Sequence, residues 1–328
     1  MKKVLNILFE HNNLSTVDAK EVMVNIGKGL YTDAEIAAFV TVFLMRSITI
    51  NELIGFRDAL MEMAVPVAFT EPVLDIVGTG GDGKNTFNIS TVASFVIAGT
   101  GTKVAKHGNY ASTSITGSSD VLQQLGYVFK NNNDALQAEL DKADITFLHA
   151  PLFHPALKTV SQIRKQIGVH TLFNIMGPLV NPANPTYRLL GVYNAEVGRL
   201  YNYVMQNDKA LFGIINTLDG YDEISLTTDT KVITSYGEKI YSAYSLGKRT
   251  VSPTDIAGGN SPIEAAKICL AILQGKGTWA QNAVVLANAA MALYITNKYT
   301  SYHACMQMAV ESLEGGKAYN SFKKLVSI

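Results

Sequence analysis

At Val73 the hydrophobic period of this chain changes. Over roughly the first 65 residues apolar side chains recur only at helical spacing. Thr32 followed by Glu35 is a capping-box start, and Ile36, Phe39, Val40, Phe43 and Leu44 then form one stripe. Ser15 with Asp18 reads as a second helix start, and Leu53, Phe56, Leu60 and Met63 mark another stripe. Pro66 and Pro72 close the region, because proline cannot continue a helix interior. From Val73 onward short apolar runs alternate with helical stretches. The strand candidates are Val73–Val77, Lys103–Lys106, Ile145–His149, Arg188–Tyr193, Leu211–Asn216 and Glu223–Thr228, with helices starting at Thr91, Ser118, Pro155 and Glu196. Val232–Ser245 reads as a hairpin turning near Gly237, and the C-terminal third returns to helices, one starting at Ser261-Pro262. Such alternation predicts an α/β fold with a central, mostly parallel sheet flanked by helices. The expected layout is a small all-helical N-terminal domain, 1–68, with helices near 155–185 packing against it, and a larger α/β domain, 69–328.

Composition narrows the function classes. The chain has 328 residues, 48% hydrophobic, and formal net charge zero, which argues against a surface built for non-specific nucleic-acid or membrane binding. Its two cysteines, Cys269 and Cys305, are too few and too distant for a metal cluster or disulfide framework and read as buried thiols. After Met1-Lys2-Lys3 the apolar run Val4–Phe9 is broken by Asn6 and stops at Glu10, too short for a secretory leader. The longest apolar stretch, Ala283–Thr296, contains Asn288 and falls short of the roughly 20 residues of a membrane span. A cytoplasmic protein is expected.

The first strand candidate runs into Gly78-Thr79-Gly80-Gly81-Asp82-Gly83-Lys84-Asn85. As a dinucleotide fingerprint this loop lacks the carboxylate that should follow roughly 20 residues on, since no acidic residue lies between Asp82 and Asp120. As a nucleotide-triphosphate loop it lacks the Ser or Thr after Lys84 and places Asp82 among the phosphates. A third reading accepts the aspartate: backbone N–H groups bind phosphate, and a carboxylate beside them is tolerable near magnesium or ligand hydroxyls. Asn88-Ile89-Ser90-Thr91 then opens an apolar helix, whose N-terminus favours anions by roughly 0.3–1 kcal/mol. Lys106-His107-Gly108-Asn109 follows the next strand, then Ser112-Thr113-Ser114 and Gly117-Ser118-Ser119-Asp120. Glycine loops, a lysine and several hydroxyls at successive strand ends describe a pocket for a ligand with several phosphates.

Gly-Thr-Gly-Gly-Asp, Asn-x-Ser-Thr and Lys-His-Gly-Asn at these spacings resemble the signature of the anthranilate phosphoribosyltransferases. The similarity continues through His154-Pro155-Ala156, Arg164, Phe173-Asn174-x-x-Gly177-Pro178-Leu179-x-Asn181-Pro182 and Asp222-Glu223, in order along essentially the whole chain. The resemblance implies transfer of phosphoribose from phosphoribosyl pyrophosphate to the amino group of anthranilate, in tryptophan biosynthesis. It implies that Gly78, Gly81, Asp82, Thr86, Asn88, Ser90, Thr91, Lys106, Ser114 and Ser118 bind phosphoribosyl pyrophosphate. Gly78, His107, Asn109, Ala150, Pro151, His154 and Arg164 would meet anthranilate, the arginine fork facing its carboxylate. Ser90, Asp222 and Glu223 would hold two Mg2+ ions, and Lys106, Asp222 and Glu223 are the implied catalytic groups. The family forms homodimers through the helical domain, so a homodimer is expected.

The pattern departs after Lys-His-Gly-Asn, where the family commonly has an arginine and, after two intervening residues, paired serines; here Tyr110 and Thr113 stand at the arginine and the first serine. Two other readings share parts of the pattern. A pyrimidine nucleoside phosphorylase has the lysine-histidine motif but continues Ser-Thr-Gly-Gly, against Gly108-Asn109-Tyr110 here. A non-catalytic nucleic-acid-binding relative would be expected to lack Asp222-Glu223 and to carry a basic surface.

Overall fold

The computed structural model of the protein describes residues 1–111 and 114–328; Ser112 and Thr113 lie outside the described residues. Contacts group the chain into two compact units, one of 1–67 with 150–184, the other of 68–149 with 185–328.

The helical unit contains α1 Lys2–Phe9, α2 Thr16–Gly27, α3 Asp33–Met45 and α4 Ile50–Glu62, and, numbered in chain order, α8 Ala150–Phe153 and α9 Pro155–Ile167. The predicted cap at Thr32 is present, its hydroxyl accepting from Glu35 N–H while Glu35 accepts from Thr32 N–H. Thr49 and Glu52 repeat the arrangement at α4. The two stripes meet in a trio of edge-on rings, Phe39, Phe43 and Phe56, with centroids 5.1–5.8 Å apart. Glu52 is fully buried there and is held by Arg46 at 2.5 Å and by Leu14 N–H at 3.0 Å, the pairing a buried carboxylate requires.

The α/β unit carries a seven-stranded sheet: β1 Leu74–Gly78, β2 Val104–Gly108, β3 Ile145–His149, β4 Tyr187–Gly191, β5 Leu211–Thr217, β6 Thr230–Thr234 and β7 Gly237–Tyr241, in the order β3-β2-β1-β4-β5-β6-β7. The first five are parallel, and the hairpin β6–β7 continues the sheet antiparallel. The chain runs outward from β1 through β2 to β3, then returns to the other side of β1 for β4 and β5. The strand order therefore reverses between β1 and β4, the place where open α/β sheets bind ligands beyond the carboxyl ends of their strands.

The accompanying helices are α5 Ile89–Ala98, α6 Ser118–Gln124, α7 Asn133–Ala143, α10 Ala195–Met205, α11 Pro262–Leu273, α12 Trp279–Tyr294, α13 Tyr302–Glu314 and α14 Lys317–Val326. α5 and α12 are apolar on nearly all sides and are the most buried, as helices of that pattern must be. Both cysteines are buried and free. Among the described residues no helix is long and apolar enough to cross a membrane.

One expected strand is not formed. Glu223–Thr228 is irregular backbone with bends, buried from Glu223 to Leu226, and Leu226 is at φ 59°. Asn288 of α12 explains how such a loop survives burial: its amide accepts from Ile224 N–H at 3.0 Å and donates to Ile224 C=O at 2.9 Å, replacing a strand neighbour.

Candidate active site

The loop after β1 turns on Gly80, Gly81 and Gly83, at φ 65°, 76° and 69°, a conformation that other residues adopt only with strain. Lys84 N–H donates to Asp82 Oδ1 at 3.0 Å, and Thr86 bridges to Ala257, tying down the loop's far end. The chain then enters α5 through Asn88, which makes no side-chain cap bond; its Nδ2 donates instead to Thr116 C=O at 3.3 Å. Ser90 and Thr91 follow in the first turn.

Asp222 and Glu223 reach this loop from the turn after β5. Thr217 fixes that turn, its hydroxyl donating to Glu223 C=O at 2.6 Å. Asp222 then accepts from Gly80 N–H at 2.6 Å, and Glu223 from Ser90 N–H at 3.2 Å. Gly78 and Gly191 are paired in register at the ends of β1 and β4, and a Cβ on either would collide with Asp222. The reversal point of the sheet is thus occupied by a buried aspartate, Gly78 leaving room for its carboxylate and Gly191 for its backbone.

Lys106 is the middle residue of β2 and is 2% exposed. Its ammonium donates to Ile76 C=O and to Ser90 Oγ, the latter at 3.2 Å, leaving its third proton for another acceptor. Burial lowers its pKa, opposed by the charges of Asp75, Glu223 and Asp222. Burial raises Asp222 well above the usual carboxylate range, and the neighbouring charges of Asp82 and Glu223 add to that rise. Burial also pushes Glu223 up to about 7 despite Lys106. Three carboxylates and one ammonium leave excess negative charge in a dry place, which a cation would relieve. Thr79 Oγ1, Asp82 Oδ2, Asn88 Oδ1, Thr91 Oγ1 and Thr116 Oγ1 are also buried there without hydrogen-bond partners. Among the described residues no group of three or more His, Cys, Asp or Glu is arranged to hold a metal unaided. Two carboxylates and a hydroxyl suit Mg2+, which completes its shell with water and substrate phosphate oxygens.

The remaining expected residues fall in two places. In the α/β unit, His107 is 3% exposed and donates its N–H to Asp75 at 3.2 Å. Asn109 is exposed, Ser114 is exposed with Oγ 3.5 Å from Thr116 C=O, and Ser118 Oγ packs against Gly108 where a Cβ would be. In the helical unit, Ala150 and Pro151 form the first turn of α8. His154 precedes α9 and is 2.7 Å from Val180 C=O through Nε2. Arg164 lies on α9, half-buried, its guanidinium 5.7 Å from the Phe173 ring centre, and burial lowers its pKa. Sequence reasoning missed Thr79, Thr116 and Gly191; Thr79 stood inside the glycine loop already singled out and Thr116 immediately before Gly117-Ser118-Ser119-Asp120, whereas Gly191 lay unremarked within the strand candidate Arg188–Tyr193. A separate concavity lies against β6, β7 and α12, lined by Val232, Tyr236, Tyr241 and Tyr294, and contains no residue of this site.

Comparison with known proteins agrees with the geometry. The profile of the glycosyl transferase family a/b domain matches residues 70–319, and that of its helical bundle domain residues 2–64. An anthranilate phosphoribosyltransferase of Bacteroides fragilis is 50% identical, over 100% of this chain and 99% of the relative. The crystal structure of the anthranilate phosphoribosyltransferase from Thermus thermophilus superposes with TM-score 0.91 at 30% identity, covering 98% of each chain. The Saccharomyces cerevisiae enzyme in complex with PRPP and Mg superposes with TM-score 0.90 at 28% identity, over 98% of this chain and 96% of that one. The same yeast enzyme in complex with 4-fluoroanthranilate gives TM-score 0.88 at 26% identity, over 98% and 95%. With both domains matched and half of all residues shared with a full-length relative, the chain belongs to the anthranilate phosphoribosyltransferase family.

Proposed function

We propose that the chain transfers the phosphoribosyl group of phosphoribosyl pyrophosphate to the amino nitrogen of anthranilate, releasing pyrophosphate. The observation that carries this reading is the junction of the Gly78–Asp82 loop, Lys106 and the Asp222-Glu223 turn at the reversal point of the sheet. Gly78, Gly81, Asp82, Thr86, Asn88, Ser90, Thr91, Lys106, Ser114 and Ser118 bind the phosphorylated sugar. Ser90, Asp222 and Glu223 would hold magnesium, two ions per subunit. When bound, magnesium supplies positive charge to the pyrophosphate oxygens as the leaving group departs.

The chain's own groups meet the same demand. The Lys106 ammonium and the loop N–H groups are already oriented, so charge growing on pyrophosphate is stabilised without reorganisation. Asn109 and Arg164 orient anthranilate, with His107, Ala150, Pro151, His154 and Gly78 lining its place. No acidic side chain pairs with Arg164 among the described residues, which leaves its planar fork for the substrate carboxylate. Presenting the nitrogen to the developing cationic sugar carbon is a matter of position, and the nitrogen loses its proton readily once alkylated. Residues 1–68 serve as the helical domain, with the helices near 155–185 against it, and 69–328 as the sugar-phosphate domain. The enzyme works as a cytoplasmic homodimer joined through the helical domain.

The test is loss of anthranilate fluorescence with phosphoribosyl pyrophosphate and magnesium present. Steady loss that stops when either is omitted supports the reaction; unchanged fluorescence with all components rejects it.

A further inference from the structure

The turn from β2 to α6 bears Tyr110 where the family pattern has arginine, and the structure gives that ring a specific seat. Tyr110 meets His149 edge-on, with ring centres 4.7 Å apart at 75°. On another side Phe129 stacks on the same imidazole at 4.6 Å and 24°. His149 ends β3 in register with Gly108 and is 6% exposed. Its Nδ1 lies 2.9 Å from Ser119 Oγ, and Ser119 N–H donates to Asn109 C=O at 3.1 Å. Asp120 closes the same turn, accepting from Ala111 and Gly117 N–H at 2.8 Å each. One imidazole thus touches both arms of the turn: Tyr110 beside Asn109, and Ser119 beside Ser118. Burial lowers the pKa of His149, so the ring stacks largely without a desolvated charge.

We propose that Tyr110 and His149 are positioning residues: Tyr110, seated on His149, holds the turn that presents Asn109 and Ser118 to the substrates. Packing here takes the place of a charge. Tyr110 is 42% exposed, but its ring meets the imidazole and its hydroxyl lies 3.5 Å from Gln123, so on this proposal it contributes through the shape of the turn and not through a phosphate contact. The inference rests on the substrate roles given above to Asn109 and Ser118.

Tyr110→Ala, Tyr110→Phe and Ser119→Ala are compared with wild type by KM for each substrate, kcat, calorimetric Kd for phosphoribosyl pyrophosphate with magnesium, and Tm. Loss of one aromatic pair should raise KM and Kd for phosphoribosyl pyrophosphate about three- to tenfold in Tyr110→Ala, with kcat within about twofold. Tyr110→Phe keeps the ring and should restore both constants. Ser119→Ala should shift them in the same direction as Tyr110→Ala. Unchanged KM and Kd in Tyr110→Ala at a wild-type Tm, or a Phe variant no better than Ala, overturns the proposal. If the wild-type protein consumes no anthranilate, the proposed reaction fails, while the Kd series still decides the positioning role. An active wild type with indifferent variants sinks this inference alone.

Discussion

Asp222 lies against Gly78 and Gly191, and the site's electrostatics follow from that confinement. Gly191→Ala adds only a methyl, yet the methyl must displace the Asp222 backbone. Overpacking of this kind costs about 1–3 kcal/mol, so a lower Tm and a kcat/KM reduced by an order of magnitude or more are expected from melting curves and steady-state kinetics. Replacing both carboxylates, Asp222→Asn with Glu223→Gln, should lower kcat about 10²–10³-fold, the scale of a lost electrostatic contact to a developing charge, and flatten the dependence of rate on magnesium. Wild-type turnover in that double variant would remove the metal assignment. Arg164→Ala should mainly raise the anthranilate KM, by about tenfold or more for a lost charged hydrogen-bonded pair; an unchanged KM would show that the guanidinium does not meet the carboxylate. The residues that carry charge were legible because their motifs are local. Gly191 was not, because the Asp222 it makes room for lies on a different turn, beyond the whole of α10 and β5.

Among the elements, Glu223–Thr228 shows why apolar runs mislead. Alternating apolar residues next to a turn satisfied the strand pattern, but Asn288, the polar residue inside an otherwise apolar helix, already bonds the Ile224 backbone. The odd asparagine was visible in the sequence; its partner 64 residues away was not. α7 was passed over too, since its charged face dilutes the helical stripe, although Asn132 caps it by accepting from Ala135 N–H at 2.7 Å. α7 carries Glu139, fully buried, accepting from Tyr127 at 2.8 Å and Thr146 at 2.5 Å. Burial raises its pKa beyond what these bonds and Lys130 recover. A carboxyl raised on folding binds its proton more tightly in the native state. Its favourable contribution is therefore complete below the unfolded pKa of about 4.3 and lost as pH climbs through the raised folded value. Glu139→Gln should accordingly gain stability relative to wild type between acid and neutral pH. Urea unfolding at about pH 4 and pH 8 reads this directly, and a difference independent of pH would contradict it.

At the scale of the molecule, the strand-helix alternation after Val73 was enough to foresee a mostly parallel sheet with helices on its faces, and the helical periodicity before it a separate helical unit. Strand order was beyond the sequence, because parallel neighbours are brought together by packing of the intervening helices and not by local turns. That order decides the function: it sets β1 beside β4, so the glycine loop, Lys106 and the acidic turn share one edge. Calorimetric titration of the protein with phosphoribosyl pyrophosphate, with and without magnesium, addresses this junction most directly. The account predicts saturable heat at one site per chain with magnesium, weakened strongly without it and in Asp222→Asn/Glu223→Gln. Absence of heat with magnesium, or equal affinity in the double variant, would contradict it.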